Sequence, residues 1–165
     1  MPLAPAVTDL ESLKGHSSLA RLLAWNAAAV LEAKFDRGEL TIFVDRANIR
    51  EACLLLRDDP ACAFNFLSDV TCVDWYPAEP RFEVVYHLLS IPNKERVRLK
   101  VRLNSGSPAI ESLTPVWPGA NYFEREVFDL FGIRFNGHPY LRRILMPEDW
   151  EGHPLRKDYP VEGYR

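Results

Sequence analysis

Between Arg96 and Leu103 the chain reads Arg-Val-Arg-Leu-Lys-Val-Arg-Leu, cations alternating with aliphatic residues without a break. Such alternation has one regular solution, a β-strand, because successive side chains there point to opposite faces of the sheet. Val97, Leu99, Val101 and Leu103 then share one face, and Arg96, Arg98, Lys100 and Arg102 the other. The turn Pro92-Asn93-Lys94-Glu95 leads into it. A strand apolar on one side only calls for a sheet with one covered and one open face. The cationic face has several readings: the solvated side of an antiparallel sheet, a dock for an acidic protein partner, or a landing strip for nucleic-acid phosphates or anionic lipid. Because 20 Lys+Arg face 23 Asp+Glu over 165 residues, for a net charge of -3, the last reading is disfavoured.

Other segments fill in around this strand. Residues 17–33 carry Leu19, Leu22, Leu23, Ala27, Val30 and Leu31 at helical spacing behind Ser17 or Ser18 as cap, which predicts an amphipathic helix. Leu40–Val44 follows Gly38 as a β-branched and aromatic run. It stops at Asp45, a cap for a second helix bearing Ile49, Ala52, Cys53 and Leu56. Val70–Trp75 and Arg81–Ile91 predict two further strands, separated by a turn at Pro77 and Pro80. The fold class expected is α+β: helix, strand, helix, then an antiparallel meander, a short helix and an extended C-terminal arm. Residues 1–135 are expected to form a single compact domain and residues 136–165 the arm.

After Gly106 the composition shifts, with seven of 13 prolines and five of 8 glycines falling there. Yet Trp117, Tyr122, Phe123, Phe128, Phe131, Phe135, Tyr140, Trp150, Tyr159 and Tyr164 are spread along the same stretch. Disordered linkers are poor in aromatics, so the arm is expected to pack on something, and to be mobile where its partner is missing.

Cys53, Cys62 and Cys72 are odd in number and never paired as Cys-x-x-Cys. They predict reduced thiols and no cluster or structural zinc of the chain's own. The N-terminal Met-Pro-Leu-Ala-Pro-Ala-Val lacks the basic region and apolar run of a secretion signal. The longest apolar tract, Leu22–Leu31, is too short to span a bilayer. Neither a dinucleotide fingerprint nor a P-loop is present, and the acids and histidines Glu126, Asp129, His138 and His153 match no catalytic or metal-binding spacing.

The most informative stretch is Asn121-Tyr122-Phe123-Glu124-Arg125-Glu126-Val127-Phe128-Asp129-Leu130-Phe131-Gly132. Asn121 and Glu124 have capping-box spacing, Phe123, Val127, Leu130 and Phe131 form an apolar stripe, and Gly132 suits a C-terminal cap. Arg125 and Asp129 stand four apart, as in a helical ion pair. With His138, Arg142 and Ile144-Leu145, the segment Glu124–Leu145 matches in register the signature of the C subunit of respiratory complex I, the proton-pumping NADH:quinone oxidoreductase. It is identified as resembling that family. The run Met146-Pro147-Glu148-Asp149-Trp150-Glu151-Gly152-His153-Pro154 onward resembles the family's C-terminal stretch, and Asp69–Asp74 a family sheet segment.

The resemblance implies a peripheral-arm subunit that binds no cofactor and is itself non-catalytic. It would support assembly of the quinone-reducing module while FMN, iron–sulfur clusters, NADH and quinone are handled by the rest of the complex. The implied partners are the hydrogenase-like D subunit and the cluster-bearing B and I subunits, with no nucleic acid. Membrane association would come only through the complex, on the cytoplasmic face of the inner (plasma) membrane. A fused C–D chain is not expected, since the sequence runs to Arg165. Related subunits of membrane-bound hydrogenases, of F420-linked complexes and of the photosynthetic NDH complex remain alternatives, as does a basic-face nucleic-acid or lipid module. Glu124, Arg125, Glu126 and Asp129 then form charge-assisted bonds at a subunit junction or an ion-pair cluster within the domain. His138, Arg142, His153 and Tyr159 are expected at turns or the interface, and Trp150 as its anchor.

Overall fold

A computed structural model describes residues 5–164. Helix α1 (Leu10–Leu13), capped by the Asp9 carboxylate, leads to α2 (Ser17–Asn26). Strands β1 (Val30–Asp36) and β2 (Glu39–Val44) form a hairpin, and α3 (Ile49–Asp58) crosses to β3 (Phe66–Asp74), β4 (Phe82–Ser90) and β5 (Glu95–Leu103). After these come β6 (Ala109–Glu111), α4 (Ala120–Phe131) and β7 (Arg134–Asn136).

The five long strands lie in the order β1-β2-β5-β4-β3. Strands β3, β4 and β5 form the expected antiparallel meander, and β5 inserts beside β2 in parallel. Val97, Leu99, Val101 and Leu103 face inward, where they share one core with Ile42, Tyr86 and Val84 of the sheet, Leu19 and Leu22 of α2, Leu56 of α3 and Val127 of α4. The α+β expectation holds.

The predicted helix over 17–33 stops short. Asn26 leaves helical geometry at φ -157° and its side chain accepts from the Ala28 amide, turning the backbone through one 3-10 turn into β1. Val30 and Leu31, assigned to the helix face by spacing, belong to a strand: Val30 is buried and Leu31 half exposed. From α2 onward the order is therefore helix, strand, strand, helix. The two-residue turn Arg37-Gly38 takes left-handed φ values of 53° and 82°, the geometry of a tight hairpin that fits the twist of its strands.

The cationic face of β5 is largely self-neutralised. Arg98 pairs with Glu39, Lys100 with Glu83 at 2.6 Å, and Arg102 with Glu32 at 2.8 Å. These acids come from β2, β4 and β1, so the ladder ties four strands together. The Arg102 guanidinium also lies 4.2 Å from the Phe43 ring centroid. With Arg98, Lys100 and Arg102 engaged by neighbouring acids and Arg96 left in no ion pair among the described residues, the face offers a reduced field to a polyanion, in keeping with its reading as a solvated outer face.

Candidate interface: the junction of α4 with the C-terminal arm

The short parallel pair β6–β7 frames α4. Arg50 of α3 donates to the Ser112 and Asn136 carbonyls and pairs with Glu111 at 2.5 Å. Arg57 donates to the Val116 carbonyl at 2.7 Å. Helix α4 ends at Gly132, whose φ of 74° is left-handed and whose amide returns to the Phe128 carbonyl. Any Cβ there would sit 2.5–2.6 Å from Arg156 and His153. The glycine therefore serves both the cap and the close approach of the arm.

Glu124 departs from its capping-box role. Helix α4 begins two residues earlier than that box requires, with Gly119 as cap and no side-chain capping bond. Glu124 is fully buried and points away from its own helix end, accepting from the Ser112 hydroxyl and the Leu113 amide, each at 2.6 Å. The Ser112 oxygen lies 2.8 Å from the Thr114 hydroxyl and accepts from the Thr114 amide. Rotating these hydroxyls lets the group be served either as carboxylate or as neutral acid. Burial pushes the carboxyl up to about 7 against the opposing pull of these donors and of the Arg50 charge.

Asp129 is also fully buried, and its expected partner Arg125 is replaced by Arg143. Arg143 donates to one carboxylate oxygen at 2.6 Å, while the amides of Ile144, Leu145 and Met146 converge on the other at 2.8–3.0 Å. Burial raises the carboxyl, but the three amides and the guanidinium overcome it and hold the group below its ordinary 3.8. Consecutive amides aimed at one oxygen form an anion nest, here filled by the chain's own side chain. The remaining Arg143 donors reach the Trp150 and Gly152 carbonyls at 2.9 Å. Arg125 instead donates to the carbonyls of Arg142 and Arg143. Both residues of the expected pair thus hold the arm, but not each other.

The other residues singled out from sequence divide. His138 bridges the Asn121 carbonyl and the Tyr140 amide. That pattern puts a proton on Nε2 and leaves Nδ1 to accept, and burial pulls its pKa down. His153 meets the Asp129 carbonyl at 2.8 Å through Nδ1, with its pKa lowered by burial. Both histidines thus bond between α4 and the arm or within it. Arg142 is exposed and stacks on Tyr140, 4.4 Å from the ring centroid. Glu126 is exposed. Trp150 is 38% exposed, and Tyr159 packs edge-on against Tyr164 with centroids 5.2 Å apart.

A second anchor has no signal in the sequence. Arg81, between β3 and β4, forks onto Asp74 at 2.8–2.9 Å and onto Asp158 of the arm at 2.6–2.9 Å. Asp74 also accepts the amides of Tyr76 and Lys157. Burial would raise Asp74, yet these donors hold it at about 2. The Arg156 guanidinium donates to the Phe131 carbonyl, and the Leu155 amide to that of Leu130. An arm expected to be mobile without partners is thus bonded at two nodes to its own domain. Its only clue in sequence was composition, because Arg81 and Asp158 are 77 residues apart.

The family described as "Respiratory-chain NADH dehydrogenase, 30 Kd subunit" matches residues 42–165, which contain the end of β2, strands β3 to β7, α3, α4 and the arm. The chain belongs to that family. An NADH-quinone oxidoreductase C subunit from Roseiflexus sp. (strain RS-1) is 53% identical over 150 residues, 91% of this chain and 86% of that protein. The corresponding C subunit of Citrifermentans bemidjiense is 53% identical over 137 residues, 83% of this chain and 84% of that one. Among solved structures, the trypsin-resistant fragment (1-134) of Nqo5 is 36% identical with a TM-score of 0.56, covering 63% of this chain and 83% of the fragment. A chain of the membrane-bound sulfane sulfur reductase, an archaeal respiratory membrane complex, is 27% identical with a TM-score of 0.74, over 90% of this chain and 86% of that one.

The surface beyond the anchored backbone carries large exposed hydrophobic residues among charged ones. Tyr140, Leu145, Leu155, Val161 and Tyr164 are each more than half exposed. Buried polar groups tie the inner side of the arm down while its outer side presents large hydrophobic residues, the composition of a surface that meets another protein. Among the described residues no group of three His, Cys, Asp or Glu could hold a metal ion. The three cysteines are buried and free, and burial pushes the Cys72 thiol up to about 12.

Proposed function

We propose that this chain acts as the C subunit in the peripheral arm of an NADH-quinone oxidoreductase, where it is a non-catalytic scaffold for the quinone-reducing module. The observation that carries the reading is 53% identity to such a C subunit over 91% of the chain. The α4–arm junction supports it: its ion pairs and amides are satisfied internally, leaving exposed hydrophobic side chains on the outer side of the arm. In this reading the chain binds no flavin, cluster or quinone itself. It meets the hydrogenase-like D subunit and the cluster-bearing B and I subunits through α4 and the arm. No described helix is long and apolar enough to cross a membrane, so association with the cytoplasmic face of the inner membrane would run through these partners. The 27% identical chain of a sulfane sulfur reductase complex supports a second reading, the same scaffold in a complex of different electron donor. Roughly doubled identity to the NADH-quinone oxidoreductase relative favours the first.

Residues 136–165 are the part proposed to engage partners, and 1–135 the part that folds first. The test is affinity purification from native membranes of the full chain and of a truncation before Met146, each followed by quinone-reductase assay. The full chain should bring down hydrogenase-like and cluster-bearing subunits, and the truncated chain should not. Equal recovery of partners and equal activity with both would overturn the reading.

A further inference from the structure

Tight turns at Pro147–Trp150, Arg156–Tyr159 and Pro160–Gly163 curl the end of the arm around a hollow of about 550 Å³. Trp150, Tyr159, Tyr164 and Pro147 form its walls, and Asp149, Glu151 and Glu162 join them in its lining, which among the described residues contains no Lys or Arg. The hollow is built rather than incidental. Gly152 takes φ +78°, and a Cβ there would lie 2.8 Å from both the Tyr159 and the Tyr164 rings. The rings therefore close on bare backbone, and the Tyr159 hydroxyl donates to the Glu151 carbonyl at 3.4 Å.

Charge distinguishes this hollow from the rest of the arm. Among the described residues Asp149, Glu151 and Glu162 enter no ion pair, whereas nearby Asp158 is held by Arg81. Arg143, the cation whose donors reach the Trp150 and Gly152 carbonyls, is already paired with Asp129. We propose that this hollow is a docking cup for a basic segment of a partner protein in the complex, with an arginine side chain seated between the aromatic walls. This rests on the reading of the arm as a subunit interface and adds the chemistry of the occupant. A guanidinium can stack on Trp and Tyr faces while its edge donates to carboxylates. An anionic or purely apolar occupant would desolvate the carboxylates without a partner. The volume exceeds one side chain, so the occupant is a stretch of chain.

The test uses the full chain in membranes of cells lacking the native copy. The variant D149N/E151Q/E162Q removes the charge but keeps shape, Trp150→Ala removes a wall, and truncation before Met146 removes the cup. Retention of the chain in the complex is followed through a salt series, with melting of each purified variant as the folding control. Because these acids lie outside the two anchors, Glu151→Lys alone serves as a second charge variant. The triple variant should be retained about tenfold less well at low salt and show a flatter salt dependence than the parent, and Glu151→Lys should shift the same way. Parent-like retention and salt dependence in both charge variants, with loss on truncation, would overturn the basic occupant while leaving the arm as the interface. Parent-like retention of the truncated chain would overturn the underlying reading as well.

Discussion

Glu124 and Asp129 sit near opposite ends of α4, both without accessible surface, and they are held in opposite ways. At the first end a neutral hydroxyl and one amide face the carboxyl, and burial pushes it up to about 7. At the second, three amides and a guanidinium face it, and it stays below 3.8 despite burial. Burial alone therefore does not set the charge of a carboxyl in this fold. The number and charge of the donors do. The first end closes the domain on itself, while the second holds the segment proposed to meet partners.

The strongest way to break the contrast is Asp129→Asn. An amide group cannot accept at both positions where the arm and Arg143 donate, and Arg143 loses its counter-charge. A cost of about 3 to 5 kcal/mol follows when one partner of a buried pair is removed. Thermal melting should show that loss, and hydrogen exchange should speed up at Ile144, Leu145 and Met146. Unchanged exchange there would mean that the nest does not hold the arm.

Arg81→Ala asks whether the other arm anchor obeys the same rule. Asp74, 3% exposed, would keep two amides and lose its cation, at about 3 kcal/mol, and its carboxyl would move up from about 2. Trypsin should then cleave the arm sooner than the sheet. Cleavage at the parent rate would place the arm's anchorage at Asp129 alone.

Glu124→Gln sharpens the contrast through pH. The folded value of about 7 exceeds the ordinary 4.5, so folding holds this proton more tightly than the unfolded chain does. Its stabilising effect is complete below pH 4.5 and is lost as pH rises through 7, a change of about 2 to 3 kcal/mol. Asp129 and Asp74, both lowered, act with the opposite sign and lose stability as pH falls below 3.8. Denaturant melts should show that Glu124→Gln flattens the decline between about pH 5 and about pH 8 and leaves the acid limb intact. A slope unchanged by the substitution would assign it to another group.

The smallest effect is expected from Arg102→Gln on the open sheet face. Its pair with Glu32 is exposed on both sides, and such pairs contribute about 0.2 to 1 kcal/mol. A larger loss on melting would show that the ladder and its Phe43 stack act as one network.

The regular parts of this molecule were legible because they are periodic. Alternation fixed the inner face of β5, and the Ile49–Leu56 spacing announced α3, although Asp45 caps the 3-10 turn Arg46–Asn48 that leads into α3 and not α3 itself. Strand β1 was hidden because Val30 and Leu31 also fit the helix period, and the break depends on how Asn26 folds onto the Ala28 amide. At the junction, the signature residues were found but their partners were not. Arg143 displaced Arg125 at Asp129, and Ser112 and Leu113 took Glu124, because backbone amides and hydroxyls from distant loops carry no spacing signal. Arg81 was invisible for the same reason: its worth depends on a turn between β3 and β4 and on an arm far along the chain.

The strand order also sets a timetable for synthesis. β5 pairs with both β2 and β4, so the sheet cannot close until Leu103 has left the ribosome, and the hairpin made earlier waits with an open edge. Closing so distant a pairing is intrinsically slow, and domains assemble as units while the chain emerges. The arm, last to emerge, has no Asp129 or Arg81 to grip until that unit exists. The apolar surface it carries is therefore displayed only on a finished domain, so a half-made chain has no assembled surface with which to capture a partner.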